Sequence, residues 1–251
     1  MHEASLIPPS QPSPTSEGGD KTLSPTAFLA LLQLSDTALP IGAFAFSNGL
    51  ETYTQRGLVT DAATLQTWLA TVLRHVVHGS HLLPVALAYR ATAAADWVQL
   101  QRLDQQLTAM KHARELREAS MKTGQGLLRL ARQVWPGPRL ERLHAMQQQG
   151  RVAAHHALVL GVLGWELGWH EHVTVEAAGY QWLSGMISAA LRLLSVGQSV
   201  GQRLLAALLP DVASIADEIS RQGWDDLASA APEFDIRAMQ HETLYSRLFQ
   251  S

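Results

Sequence analysis

Apolar residues return at intervals of three and four along most of the chain. The clearest run is Leu65, Trp68, Leu69, Val72, Leu73 and Val76, which places one greasy face on a helix over 61–78. Gly79 is expected to stop that helix. Similar spacing predicts helices at about 81–94, 97–110, 112–134, 139–148, 152–168, 174–195, 198–208 and 210–221. Upstream, Ser24 and Pro25 read as the N-cap and first position of a helix through about Leu34. Asn48 and Glu51 have the spacing of a capping box for a short helix that Gly57 closes in the left-handed conformation, and Thr60 caps the next one. No convincing pair of strands interrupts this pattern. The expected fold class is therefore all-α, a single-domain bundle of about ten helices, with Gly150, Gly168 and the turn from Trp135 to Pro138 as punctuation.

Three stretches do not fit a plain helical pattern. Residues 1–23 hold Pro8, Pro9, Pro12 and Pro14 among Ser, Gln, Glu and Gly, too little apolar surface to offset the cost of ordering, so they read as a disordered tail ahead of a domain over 24–251. Residues 38–46 set Pro40 and Gly42 among large apolar side chains and read as a buried or wrapped loop, since apolar loops generally pack under something. At the other end, His241, Leu244, Tyr245 and Leu248 read as one helical stripe with Phe249 beside it. So many anchors near a chain end mark 235–251 as a docking segment, for a partner or for the chain's own core.

Composition narrows the function. With 251 residues the chain is long enough to bury a core without staples, and it contains no cysteine, which excludes thiolate catalysis, Cys-ligated zinc and iron–sulfur clusters. A net charge of -3 is too near neutral for a sequence-independent nucleic-acid binder. The longest uncharged runs, such as Ala177 to Leu191, fall short of a membrane span, and the N-terminus carries no export signal, so a cytoplasmic protein is expected. Charged residues are only 16% of the chain, which leaves surface for contacts with other chains.

Candidate chemistry is sparse. His75, His78 and His81 lie three apart and His170 and His172 form a second group, but a stop at Gly79 would separate His81, and no His-Glu-x-x-His signature is present. A structural role is favoured; a helical histidine-ligated metalloenzyme is the alternative. No nucleotide-binding loop or nucleophile elbow occurs, and Gly124 with Gly126 reads as a close helix contact. No catalytic residue, cofactor or metal ligand is assigned. Gln198 and Gln202, four apart after Arg192 and Gly197, project from one face if a helix restarts at Gly197; a kink with capping amides is the plainer reading.

These segments, in order, resemble the UreF family of urease accessory proteins. The resemblance rests on Leu31 to Glu51, Arg114-Glu-Leu-Arg117, Val196-Gly-Gln198 and His241 to Ser251, with departures at Phe46, Arg192 and Ser195. It implies an all-helical, non-enzymatic homodimer that bridges the scaffold UreD (also called UreH) to the GTPase UreG and supports GTP-dependent nickel delivery to the urease active site, reaching urease apoprotein through that complex. It further implies partner-binding roles for Glu51, Arg192, Gln198, Gln202, His241, Glu242, Tyr245, Arg247, Leu248 and Phe249: the 192–202 region would face the GTPase, and the C-terminal segment the scaffold.

Overall fold

The computed structural model describes residues 22–36, 39–228 and 231–251. In chain order the helices are α1 Pro25–Leu34, α2 Leu50–Gln55, α3 Ala62–Val72, α4 Leu83–Ala93, α5 Trp97–Met110, α6 Arg114–Val134, α7 Pro138–Gln148, α8 His156–Glu166, α9 Glu171–Leu193, α10 Gln198–Ile219 and α11 Pro232–His241. Among the described residues there is no strand. The all-helical reading holds, and the core is one continuous apolar cluster. No helix is long and apolar enough to cross a membrane among the described residues. Of the segment read as a tail, residues 1–21 lie outside the described residues, while Leu23 already packs half-buried against the core.

Helix α8 is the axis of the bundle. Its residues 157–163 are apolar all round and buried on every side, as a helix without a polar face must be. α4 and α6 flank it, and α9 and α10 pair alongside. Gly124 allows the α6 approach: a Cβ there would collide with the Ala154 carbonyl and stand 2.5 Å from the His156 nitrogen and 2.6 Å from the His155 carbonyl carbon. Those are backbone atoms, so they cannot swing aside. Gly126 similarly admits the Ile41 backbone, so its close contact is with the 39–46 connection rather than with a helix. Gly124→Ala is accordingly expected to lose about 1–3 kcal/mol to overpacking, more than the ~1 kcal/mol its helix propensity returns. A denaturant midpoint equal to or above that of the wild-type chain would contradict this contact.

Several boundaries differ from expectation. Gly79 does not end its helix. Residues Leu73–Leu82 continue α3 into α4 in a wider register, with the Leu83 N–H donating to the His78 carbonyl five residues back. Pro84 explains part of this, because it has no N–H for the carbonyl four residues earlier and its ring needs room there. Gly79 itself is required because the Ala228 backbone passes where a Cβ would stand. Likewise Pro210 does not split 198–208 from 210–221. α10 runs through it, since Leu204, Leu208, Val212 and Ile215 hold one buried face on both sides and the unmatched Ala206 carbonyl lies on an exposed residue.

The N-terminal caps are partly as expected. Ser24 accepts from the Ala27 N–H and Pro25 opens α1. Gly57 closes α2 at a φ of +69°. Asp61, not Thr60, caps α3 through a box with Thr64. The Asn48–Glu51 capping box is absent: Gly49 is the N-cap of α2 and the Asn48 amide points to Met186. The Glu51 carboxylate is committed elsewhere. The loop read as buried is so only in part. Phe46 is buried and Leu39 and Ile41 pack half-buried on the core, but Phe44 is 64% exposed; Ala38 is outside the described residues.

Candidate partner-binding site

The C-terminal decapeptide is not a helix. α11 stops at His241 with 3₁₀-type bonds, the Thr243 and Leu244 N–H groups reaching back only three residues to Gln240 and His241. The helical stripe through His241, Leu244, Tyr245 and Leu248 therefore does not form. Residues 242–251 instead run as a strap across the body. Its backbone donors find partners nearly two hundred residues away.

Glu51 organises the strap. Its carboxylate is 2% exposed and accepts from the Leu248 N–H at 2.6 Å, the Phe249 N–H at 3.1 Å and the His241 ring at 2.9 Å. On the other side of that imidazole stands Glu115, at 2.6 Å from Nδ1, which also accepts from Arg247 at 2.8 Å. Each ring nitrogen thus faces a carboxyl oxygen, and the arrangement sets Glu51 and Glu115 against His241 and Arg247. Buried ions are tolerated in this way, paired and hydrogen-bonded. Beyond them the Gln250 N–H donates to the Ala45 carbonyl, and both the N–H and the hydroxyl of Ser47 donate to the Ser251 backbone oxygen at 2.6 and 2.5 Å. The Gln55 amide holds the Ser246 carbonyl at 2.7 Å. Glu242 pairs with Arg114 at 2.9 Å.

Arg192, near the end of α9, joins this strap to the 39–46 connection. Its guanidinium donates to the Phe44 carbonyl at 2.8 Å and lies over two rings, 3.6 Å from the Phe44 centroid and 4.1 Å from that of Phe249. Gln198 and Gln202 follow on the first turn and a half of α10, both exposed, and the helix does restart after Gly197. Tyr245 is fully exposed and Leu248 is 60% exposed, whereas Phe249 is buried.

The ten residues singled out from the sequence thus divide. Glu51, His241, Arg247 and Phe249 meet in one network with Arg192 at its edge; Tyr245, Leu248, Gln198 and Gln202 face outward; Glu242 braces α6. Glu115, Ser47 and Phe44 were missed as members of this network. All three stand inside segments that carry the resemblance, but nothing in their spacing shows that they meet the C-terminus.

The histidines go to separate tasks. His75 is exposed, His78 meets the Gln222 side chain at 2.8 Å, and His81 stacks on His156 with centroids 5.5 Å apart. His172 faces Glu176 at 3.2 Å. Among the described residues no three His, Asp or Glu side chains are grouped to hold a metal ion.

With this geometry in view, comparison with known proteins is direct. The UreF family profile matches residues 59–209. The urease accessory protein UreF of Arthrobacter sp. FB24 is 37% identical over 223 residues, covering 89% of this chain and 96% of its own. That of Methylorubrum populi is 36% identical, with coverage of 89% and 98%, and that of Paenarthrobacter aurescens is 34% identical, with coverage of 91% and 100%. This all-helical chain, strapped by its own C-terminus, belongs to the UreF family of urease accessory proteins and so takes its place in urease maturation.

Proposed function

We propose that the chain is a non-catalytic adaptor that joins the scaffold UreD/UreH to the GTPase UreG, and through them serves GTP-dependent nickel delivery to urease. The observation that carries this reading is the strap. Its backbone is anchored by Glu51, Ala45 and Ser47, yet Tyr245 and Leu248 stand in solvent on that fixed frame. Pre-ordered backbone with unpartnered apolar side chains suits docking, because little ordering entropy remains to be lost on binding. The scaffold is assigned to this strap and the GTPase to the Arg192–Gln202 region beside it. Homodimerisation is assigned to α1, where Phe28, Leu29 and Leu32 are exposed and Leu32 lines one groove with the exposed Leu209 of α10, apolar surface of the kind that protein contacts cover.

Co-purification tests the reading: the chain with both partners should elute as one complex, and recovery with neither would overturn it. Within that complex Arg192→Ala is expected to weaken GTPase association by about tenfold, or about 1.4 kcal/mol. It is not expected to act as an arginine finger, worth 10³–10⁵ in rate, because the guanidinium is already held by the Phe44 carbonyl and two rings. Unchanged association with unchanged GTP hydrolysis would remove Arg192 from the interface.

A further inference from the structure

A cavity of about 220 Å³ lies behind the 39–46 connection, between the wide helical turn of Leu73–Leu82, the start of α6, α9 and α11. We infer that this cavity is a binding site for a small organic monocarboxylate, its head on Lys111 and the His81–His156 pair and its hydrocarbon body along the apolar walls.

The polar groups of the lining divide into spent and unspent. The Ser80 hydroxyl donates to the Val76 carbonyl, Thr123 to Ala119 and the Gln181 amide to Leu34, while Ser120 is bonded to the His155 ring. The Lys111 ammonium and the His81 and His156 rings have no hydrogen-bond or ion-pair partner among the described residues, although all three side chains line the cavity. The two rings are stacked, 20° from parallel. Burial pushes the Lys111 ammonium down to about 8 and His156 down to about 4, and holds His81 well below its ordinary value, so near neutrality the wall offers one cation and two neutral rings. Each neutral ring still carries one N–H donor. All three residues are half-buried, so their donors are only partly hydrated, and a ligand oxygen in the cavity would give them an acceptor.

Charge then selects the ligand. Lys111 is the single lysine in the lining, and Arg192 at its edge is committed to Phe44 and Phe249. Asp36 and Asp235 line the same space, Asp235 at 3.3 Å from His112, and oppose a dianion such as phosphate. The same lining includes Phe46, Val77, Leu116, Met186 and Phe234, which favour a hydrocarbon body over an inorganic ion.

The test is calorimetric titration of the full 251-residue chain with hexanoate, its neutral isostere hexanamide, and inorganic phosphate. Hexanoate should bind saturably at one site, hexanamide at least about tenfold more weakly, and phosphate not at all. Lys111→Met should weaken hexanoate by at least about tenfold while its melting temperature stays equal or rises, since a half-buried, unpaired ammonium has been removed. Lys111→Gln, read by the same titration, serves if the methionine variant does not fold. Absence of saturable hexanoate binding, equal affinity for the amide or for phosphate, or undiminished binding by the folded lysine variant would each overturn the site.

Discussion

Acidification from pH 7 to pH 4.5 is expected to unfold this protein. His155 is completely buried, its ring held between Thr108 at 2.9 Å and Ser120 at 3.0 Å, and burial, reinforced by Lys111 and Arg117, pushes it down to about 3. His156 is pushed to about 4 and His81 well below its ordinary value, desolvation leading in each case. All three folded-state values lie below the unfolded value of about 6.5. The unfolded chain therefore takes up protons first, so their stabilisation is complete above about pH 6.5 and is lost as pH falls toward 4. One proton is worth about 1.36 kcal/mol per pH unit, and three together about 4 kcal/mol per unit. Asp104, raised by burial, runs the other way and returns one proton's worth at most. Set against a typical total of about 5–15 kcal/mol, the remaining two to three protons exhaust the stability within a few pH units. Guanidinium titrations at pH 7.5, 6.5, 5.5 and 4.5 read the slope directly. His155→Gln should reduce it by about a third, and a stability flat across that range would refute the account.

Loss of the Glu51 carboxylate should be nearly as costly. Glu51→Ala leaves the Leu248 and Phe249 N–H groups and the His241 ring without their acceptor in a buried site. Removing one member of a buried, hydrogen-bonded charge network typically costs about 3–5 kcal/mol, because the groups left behind remain desolvated and unpaired. The cost should appear as a lower denaturant midpoint with the slope unchanged. A chain ending at Arg247 lacks both backbone donors, so in that background Glu51→Ala should cost distinctly less; strictly additive losses would mean that Glu51 acts through something other than the strap. A single-variant loss below about 1 kcal/mol would also contradict this role. Because the strap carries Tyr245 and Leu248, the same variant is expected to lose scaffold binding along with stability.

Much of this protein is legible in its sequence because helix formation and face burial repeat over a few residues. The apolar positions from Leu65 to Val76, the Ser24–Pro25 start and the small residues at Gly124 and Gly126 each state a local requirement, and each is met in the fold. The resemblance carried by four short segments likewise pointed to the family that the comparisons show. What tertiary structure alone decided lies where a backbone group has a choice of partner. Gly79 and Pro210 are stop signals by local rules, yet flanking apolar faces keep both helices running through them. His241 to Ser251 has helical periodicity, yet Glu51 and Ala45 take its N–H groups and draw it into a strap. Glu51 has the spacing of a capping acid, but a buried carboxylate facing three donors from the far end of the chain is stabilised more than an exposed cap would be. Such choices are settled by residues as far apart as Ala45 and Gln250, and no local pattern encodes that distance.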